Sequence, residues 1–190
     1  MIRKTCLAQA GFADMAIRKF RFRISTNHKS FLFFICTFAY LPICLLLSSC
    51  DKNRIMEENI QIEGHKWDYA AAKTFTADIK DTVQHYNIYV NLRHGFNFEW
   101  RNVWVKIETT FPDGKQFERR VNLILSEPDG HWNGDCLGDN CDIQIPIQDN
   151  AFFPKIGKYT FKISQDMRIN PLAYVKSVGM RVERTIPGGK

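Results

Sequence analysis

The residue with the clearest chemistry is Cys50, which ends the sequence Leu47-Ser48-Ser49-Cys50. A branched residue, two small residues and a cysteine form the cleavage signal of bacterial lipoproteins. Small side chains let the extended chain enter a peptidase, and the thiol accepts a diacylglycerol group. The sequence therefore predicts that Cys50 is the lipidated first residue of the mature chain. Diacyl or triacyl attachment holds a protein stably at a membrane, because each buried CH2 contributes about 0.8 kcal/mol.

The segment 1–49 before this cysteine has the layout of a secretory signal. Basic residues precede the apolar run 31–47, and the small pair follows it. A transmembrane helix is the competing interpretation. Pro42 inside the run, and the cleavage signal directly after it, favour removal of the segment. Met15 would open a leader of ordinary shape, so we predict that translation starts there.

The charge of the chain is concentrated in this leader. Seven Lys and Arg residues and one Asp before Cys50 account for the whole formal charge of +6. The mature part is neutral, contains no basic stripe and would be exported. These features argue against nucleic acid as a partner.

Two further cysteines of the mature chain, Cys136 and Cys141, lie in a loop rich in Gly and Asp. An oxidising compartment favours a disulfide between them. His131 could join them in a zinc site, but the spacing matches no zinc pattern. A redox pair is more often spaced as C-x-x-C. We therefore prefer a disulfide that closes a small loop.

The same loop carries four aspartates that could bind calcium, namely Asp129, Asp135, Asp139 and Asp142. They do not follow the register of a known calcium loop, and Asp is also a common turn former. The histidines of the mature chain fit no nucleophile or metalloprotease motif. We therefore expect a protein without catalytic residues, metal or other cofactor.

Two tryptophans, Trp100 and Trp132, lie in loops and are the candidate binding residues. Exposed aromatic side chains can stack on sugars or anchor a protein partner. The alternative is that both fold back over the open end of the domain. We consider that folding back more plausible for Trp100 than for Trp132.

The elements that would position these residues follow a period of two, which indicates β-strands. Strands are predicted at 75–79, 86–92, 103–111, 117–125, 143–147, 157–163 and 175–182. Pro112-Asp113-Gly114 supplies a turn between two of them, and Pro146 favours an edge position. The predicted fold is all-β, a single antiparallel β-sandwich, with a single sheet closed on itself as the alternative.

The predicted organisation has three parts. Residues 1–49 are a lipoprotein signal peptide, 50–64 are the lipidated N-terminus and a short tether, and 65–190 are the sandwich. The segment 51–63 is interpreted as a tether because it is charged, with only scattered apolar residues.

An ordered series of motifs resembles the gliding-motility lipoprotein GldH family. The motifs lie at 86–94, 102–104, 111–114, 129–134, 157–161, 165–168 and 178–181. The resemblance implies a cell-envelope lipoprotein needed for gliding and for the type IX secretion apparatus, and it implies no catalytic residue and no cofactor. Relatives also occur in bacteria that do not glide, for which a role in secretion or envelope assembly is the safer inference.

The expected partners are the lipid bilayer, through acylated Cys50, and other envelope lipoproteins or components of motility and secretion. A glycan-binding envelope lipoprotein is the alternative function. The mixed charges after Cys50 favour the periplasmic face of the outer membrane, and the inner membrane is the alternative location.

Overall fold

The computed structural model describes residues 51–186, and these form two antiparallel β-sheets packed face to face. The leader, the Met15 start and Cys50 lie outside the described residues. The strands are β1 Arg54–Gln61, β2 Lys66–Trp67, β3 Lys73–Ile79, β4 Tyr86–Gly95, β5 Asn102–Thr110, β6 Gln116–Ile124, β7 Asp135–Leu137, β8 Asn140–Ala151, β9 Gly157–Gln165, β10 Leu172–Ala173 and β11 Val175–Arg184. A short 3-10 helix, Glu63–His65, precedes β2.

One sheet has the strand order β1-β11-β4-β8-β7, and the other has the order β3-β9-β5-β6. Strands β2 and β10 form a separate pair. Because side chains alternate across a strand, each sheet turns every second residue inward. Val90 and Met180 of the first sheet and Val105 and Ile163 of the second are fully buried. The antiparallel β-sandwich predicted from the sequence is confirmed.

The hairpin of β5 and β6 forms around Gly114, whose φ of +81° suits a residue without a side chain. The inward-facing residues Val103, Val105 and Ile107 of β5 are buried. Trp104 faces the other side, where the guanidinium carbon of Arg120 lies 4.3 Å from the ring centroid.

The tether interpretation of the segment after Cys50 is wrong, because most of this segment is strand β1. Residues Met56 to Gln61 pair in register with β11, and Ile62 is buried. Met56, Ile60 and Ile62 already show the alternation of a strand, but Glu58 interrupts it. Glu58 lies on the same inward side of β1 as Met56 and Ile60. Its side chain reaches solvent because β1 is an edge strand. A charge on an edge strand also discourages pairing with another chain.

The connections of the sandwich fall into two groups at its two ends. The end where β1 begins carries Asp51, the connections 80–85, 111–115 and 152–156, and Ile186. We call it the proximal end, because residue 50 is attached there. The opposite end carries the connections 62–72, 96–101, 125–139 and 166–174, and we call it the distal end.

Candidate functional site

The centre of the distal end is a cluster of three rings, His94, Phe98 and Trp132. His94 is the last inward residue of β4, and its ring centroid lies 5.1 Å from that of Phe98 and 4.4 Å from that of Trp132. Phe98 is buried, and Trp132 is partly buried against the core. The cluster closes the distal end of the sandwich and fixes the loops that cross it.

His94 is a buried titratable side chain within this cluster. Its Nδ1 lies 2.9 Å from the carbonyl oxygen of Gly95, whereas its buried Nε2 has no hydrogen-bond partner. Burial lowers the pKa of His94, although the Gly95 carbonyl and the charge of Asp142 oppose that effect. A neutral ring that donates from Nδ1 satisfies this geometry, so His94 works here as a packing residue that is sensitive to acid.

The loop after β6 is pinned to β8 by a disulfide and by a close backbone approach. Cys136 and Cys141 face each other across β7 and β8 and are joined in a disulfide, with their Cα atoms 4.0 Å apart. At Gly134 an added Cβ would lie 2.4 Å from the carbonyl oxygen of Asp142, so only glycine fits there. The loop borders a depression of about 450 Å³ that is lined by Phe96, Gly130, His131, Trp132, Gly134 and Cys136.

A second, smaller depression at the distal end lies beside Trp100. It has a volume of about 100 Å³ and is lined by Glu99, Trp100, Ile169, Pro171, Leu172, Ala173 and Tyr174. Trp100 is 37% exposed and Tyr174 is 44% exposed. Two aromatic side chains are thus available to a ligand or partner at this position.

A buried amide holds the 166–174 connection in place. The Nε2 of Gln165 donates to the carbonyl oxygen of Ile169 and to Oδ1 of Asn170, both at 3.2 Å. Its Oε1 accepts from the backbone N–H of Met167 at 2.9 Å. Asn170 in turn bonds Asp68 of the neighbouring 62–72 connection, with Nδ2 and Oδ2 3.0 Å apart. Hydrogen bonds within the 166–174 connection, and from it to the 62–72 connection, therefore hold the segment that carries Tyr174.

The two tryptophans predicted as binding residues behave oppositely to our expectation. Trp132 folds back over the end of the sandwich, against His94, whereas Trp100 keeps part of its surface open. Phe96, in the same connection as Trp100, is 60% exposed. Sequence reasoning missed Tyr174, which is 44% exposed. The signal for Tyr174 is its position in a connection at the same end of the sandwich, which becomes visible only once the strand order is known.

The outer face of the five-stranded sheet is polar and is organised by Arg181. Its guanidinium pairs with Asp51 at 2.7 Å, Glu57 at 3.1 Å and Glu183 at 2.5 Å. Burial alone would raise the pKa of Glu57, but a hydrogen bond from Arg54 and the charge of Arg181 hold that pKa below its usual value. These pairs fix the beginning of β1 onto β11.

Two of the four aspartates considered for calcium make other contacts. The Asp129 carboxylate accepts a bond from the backbone N–H of His131 at 3.0 Å, and Asp142 pairs with Arg93. Within residues 51–186, no three His, Cys, Asp or Glu side chains are placed to share a metal ion. In the same range, no helix has both the length and the apolar character needed to cross a bilayer.

Comparison with known proteins decides the family. The profile of the GldH lipoprotein matches residues 54–182, from β1 to β11. The chain belongs to the GldH lipoprotein family. The match includes the distal end and the disulfide loop.

Two GldH relatives align over almost their whole length. A gliding motility lipoprotein GldH homolog from Christiangramia forsetii is 29% identical over 155 residues, covering 78% of this chain and 94% of that protein. Gliding motility lipoprotein GldH of Flavobacterium johnsoniae is 27% identical over 151 residues, covering 76% and 93%.

Among solved structures, a carbohydrate-binding module specific for non-crystalline cellulose aligns with a TM-score of 0.38 and 7% identity, covering 73% of this chain and 78% of that one. At that score the similarity carries no argument about ligand or function.

Proposed function

We propose that this GldH lipoprotein is a non-enzymatic protein of the cell envelope that supports gliding motility or type IX secretion through protein contacts. Membership of the family carries this proposal, together with the names of the two relatives as gliding motility lipoproteins. Acylated Cys50 holds the protein at the periplasmic face of the outer membrane, with the inner membrane as the alternative. Membrane fractionation decides between the two locations.

The distal end is the surface that we assign to the protein partner. Phe96, Trp100 and Tyr174 expose aromatic surface there on connections fixed by the ring cluster and by Gln165. Aromatic side chains on a rigid support are typical energetic centres of protein interfaces, since little conformational entropy is lost when they become buried. The partner class is another envelope lipoprotein or a component of the secretion apparatus.

The test is a pull-down from detergent-solubilised envelopes, with the variant Phe96→Asp/Trp100→Ala beside the unaltered protein. We expect recovery of partners to fall at least about tenfold, because losing an aromatic anchor at an interface typically costs more than 1.4 kcal/mol. Thr76→Asp is the control for the added charge, since Thr76 is exposed in the middle of β3, away from both ends of the sandwich. A deletion strain complemented with each variant is scored for secretion in parallel.

Unaltered secretion in the deletion strain, together with no recovered envelope protein, would overturn the proposal. Equal loss of partners in the Thr76→Asp control would show that the contact does not lie at the distal end.

Glycan binding is the second candidate function, and one observation favours it. Trp100 and Tyr174 are both partly exposed in one depression that Glu99 also lines, an arrangement on which a sugar ring could stack. Trp100→Ala should then abolish retention on a polysaccharide, whereas Trp132→Ala should act only through stability. No retention of the intact protein on any polysaccharide would end this alternative.

A further inference from the structure

The folded domain begins directly after the residue that we predict to be lipidated. Asp51 is held by the 2.7 Å pair with Arg181, and the Asp51 carboxylate also accepts a bond from the backbone N–H of Asn53 at 3.1 Å. The backbone N–H of Arg184 donates to the carbonyl oxygen of Asn53 at 2.8 Å. Adjacent Cα atoms are about 3.8 Å apart, so Cys50 has almost no free chain between itself and the sandwich.

The proximal end also exposes hydrocarbon side chains. These are Val83 at 85%, Phe117 at 57%, Phe152 at 59%, Ile156 at 64% and Ile186 at 57% exposure. They come from separate segments of the chain, and none carries a polar atom in its side chain. Exposed apolar side chains gathered on one surface are characteristic of an interaction site.

Contacts among these segments keep the surface fixed. The Tyr86 and Phe153 rings are 5.2 Å apart between centroids, and Phe153 lies 4.6 Å from Tyr159. The Nζ of Lys155 pairs with the Asp113 carboxylate at 2.7 Å, which joins the 152–156 connection to the hairpin turn. The apolar side chains therefore project from a rigid end of the sandwich.

Lysines lie in the same connections as some of these apolar residues. The side chains of Lys115 and Lys155 are 82% and 52% exposed, with their ammonium groups 4.0 Å and 2.7 Å from the Asp113 carboxylate, and Lys80 is also exposed. Long basic side chains next to apolar residues suit a membrane surface, because the stem contacts apolar groups while the ammonium reaches anionic lipid headgroups.

We propose that the proximal end rests directly on the bilayer that holds Cys50, with Val83, Phe152 and Ile156 at the boundary between headgroups and acyl chains. The inference rests on the acylation of Cys50 in the proposed function. A chain anchored at residue 50, with Asp51 already held by Arg181, keeps this end next to the bilayer. The sandwich then stands on the membrane with its distal end directed away from the surface.

The test places a nitroxide label at either end of the acylated mature protein, which begins at Cys50, in vesicles of phosphatidylethanolamine and phosphatidylglycerol. Phe152→Cys and Phe96→Cys are matched sites, since both replace a phenylalanine, and the two are 59% and 60% exposed. Cys136 and Cys141 are joined in a disulfide, so they do not compete for the label. Val83→Cys is a second proximal site in a different connection.

Collisions of the label with oxygen, which is concentrated in lipid, are compared with collisions with a water-soluble nickel chelate. We expect the ratio of oxygen to nickel collisions to be higher at positions 152 and 83 than at position 96. Equal ratios at the two ends, or a higher ratio at position 96, would overturn the inference.

Vesicle flotation is measured first and separates the two proposals. If the labelled proteins float with the vesicles but the labels at all three positions stay in water, the anchor is supported and only the bilayer contact of the proximal end is rejected. A protein that does not float has no acyl anchor, which removes both the bilayer contact and the proposed attachment. The pull-down through the distal end is decided independently of either result.

Discussion

The two ends of the sandwich expose apolar side chains in different ways. At the proximal end, valine, isoleucine and phenylalanine side chains stand outward from tight connections. At the distal end, aromatic side chains lie on longer connections together with exposed Leu137 and Ile169, and Trp132 is tucked against His94. Pure hydrocarbon groups suit a lipid surface, whereas tryptophan and tyrosine combine apolar area with a hydrogen-bonding group and suit a protein or sugar. An exposed fraction alone therefore does not identify a partner, and the chemistry of the exposed group has to be considered as well.

The difference between the proximal and distal ends is tested most strongly by truncating one phenylalanine at each end to alanine. Phe98→Ala should lower the free energy of unfolding by about 3 kcal/mol, because Phe98 is buried at 4% exposure and its loss leaves a cavity. Phe152→Ala should change that free energy by less than about 0.5 kcal/mol, because the side chain is already in solvent. Urea unfolding of the two variants measures both values. Equal losses would contradict the assignment of Phe152 to an outward-facing surface.

The attachment of β1 to β11 is tested at Gly179. An added Cβ would lie 2.6 Å from the carbonyl oxygen of Glu58, so Gly179→Ala should push β1 outward and cost about 2 kcal/mol. Gly95→Ala is the matched control on β4, where the nearest atoms are 3.6 Å away and no strain is expected. Thermal melts, with hydrogen exchange of the β1 amides, measure the difference. A stable Gly179→Ala variant with protected β1 amides would argue against the close packing of β1.

The disulfide should act on the distal end alone. For a link between residues separated by 5 positions, the chain-entropy model gives a stabilisation of about 2 kcal/mol or less. Replacing both cysteines with alanine should therefore lower the melting temperature and loosen the 125–139 connection, with increased exchange of its amides. The amides of the β5–β6 hairpin at the proximal end serve as the internal control and should keep their protection. Increased exchange in that hairpin would mean that the two ends are coupled.

The smallest expected effect is a dependence of stability on pH through His94. Burial lowers the pKa of the folded His94, so below the ordinary value of 6.5 the unfolded chain binds the proton more readily than the folded chain. The contribution of the neutral His94 ring to the free energy of unfolding is complete above pH 6.5 and is lost as the pH falls below that value. Urea midpoints at pH 8 and pH 5 should differ less in His94→Gln than in the unaltered protein. The same difference in both proteins would assign the pH dependence to other groups.

The sequence predicts the sandwich better than its two ends. The β5–β6 hairpin follows from strict alternation around Pro112-Asp113-Gly114, because both signals are local. Strand β1 escapes detection because Glu58 occupies an inward position that only an edge strand tolerates. The sequence favours folding back for Trp100, whereas in the structure Trp132 is the one that folds back. The contact of Trp132 with His94 joins residues far apart in sequence, so a local pattern cannot reveal it. Local patterns specify strands, but they do not specify which loops meet at one end.

The position of β1 has a mechanical consequence. The chain enters β1 at the proximal end, and β1 runs towards the distal end alongside β11. If the lipid is pulled one way and a partner at the distal end the other, the load acts along the strand. In that direction all the β1–β11 hydrogen bonds are sheared together, since they lie across the line of force. The ladder then resists as a unit instead of opening one bond at a time, which suits the anchored role proposed above.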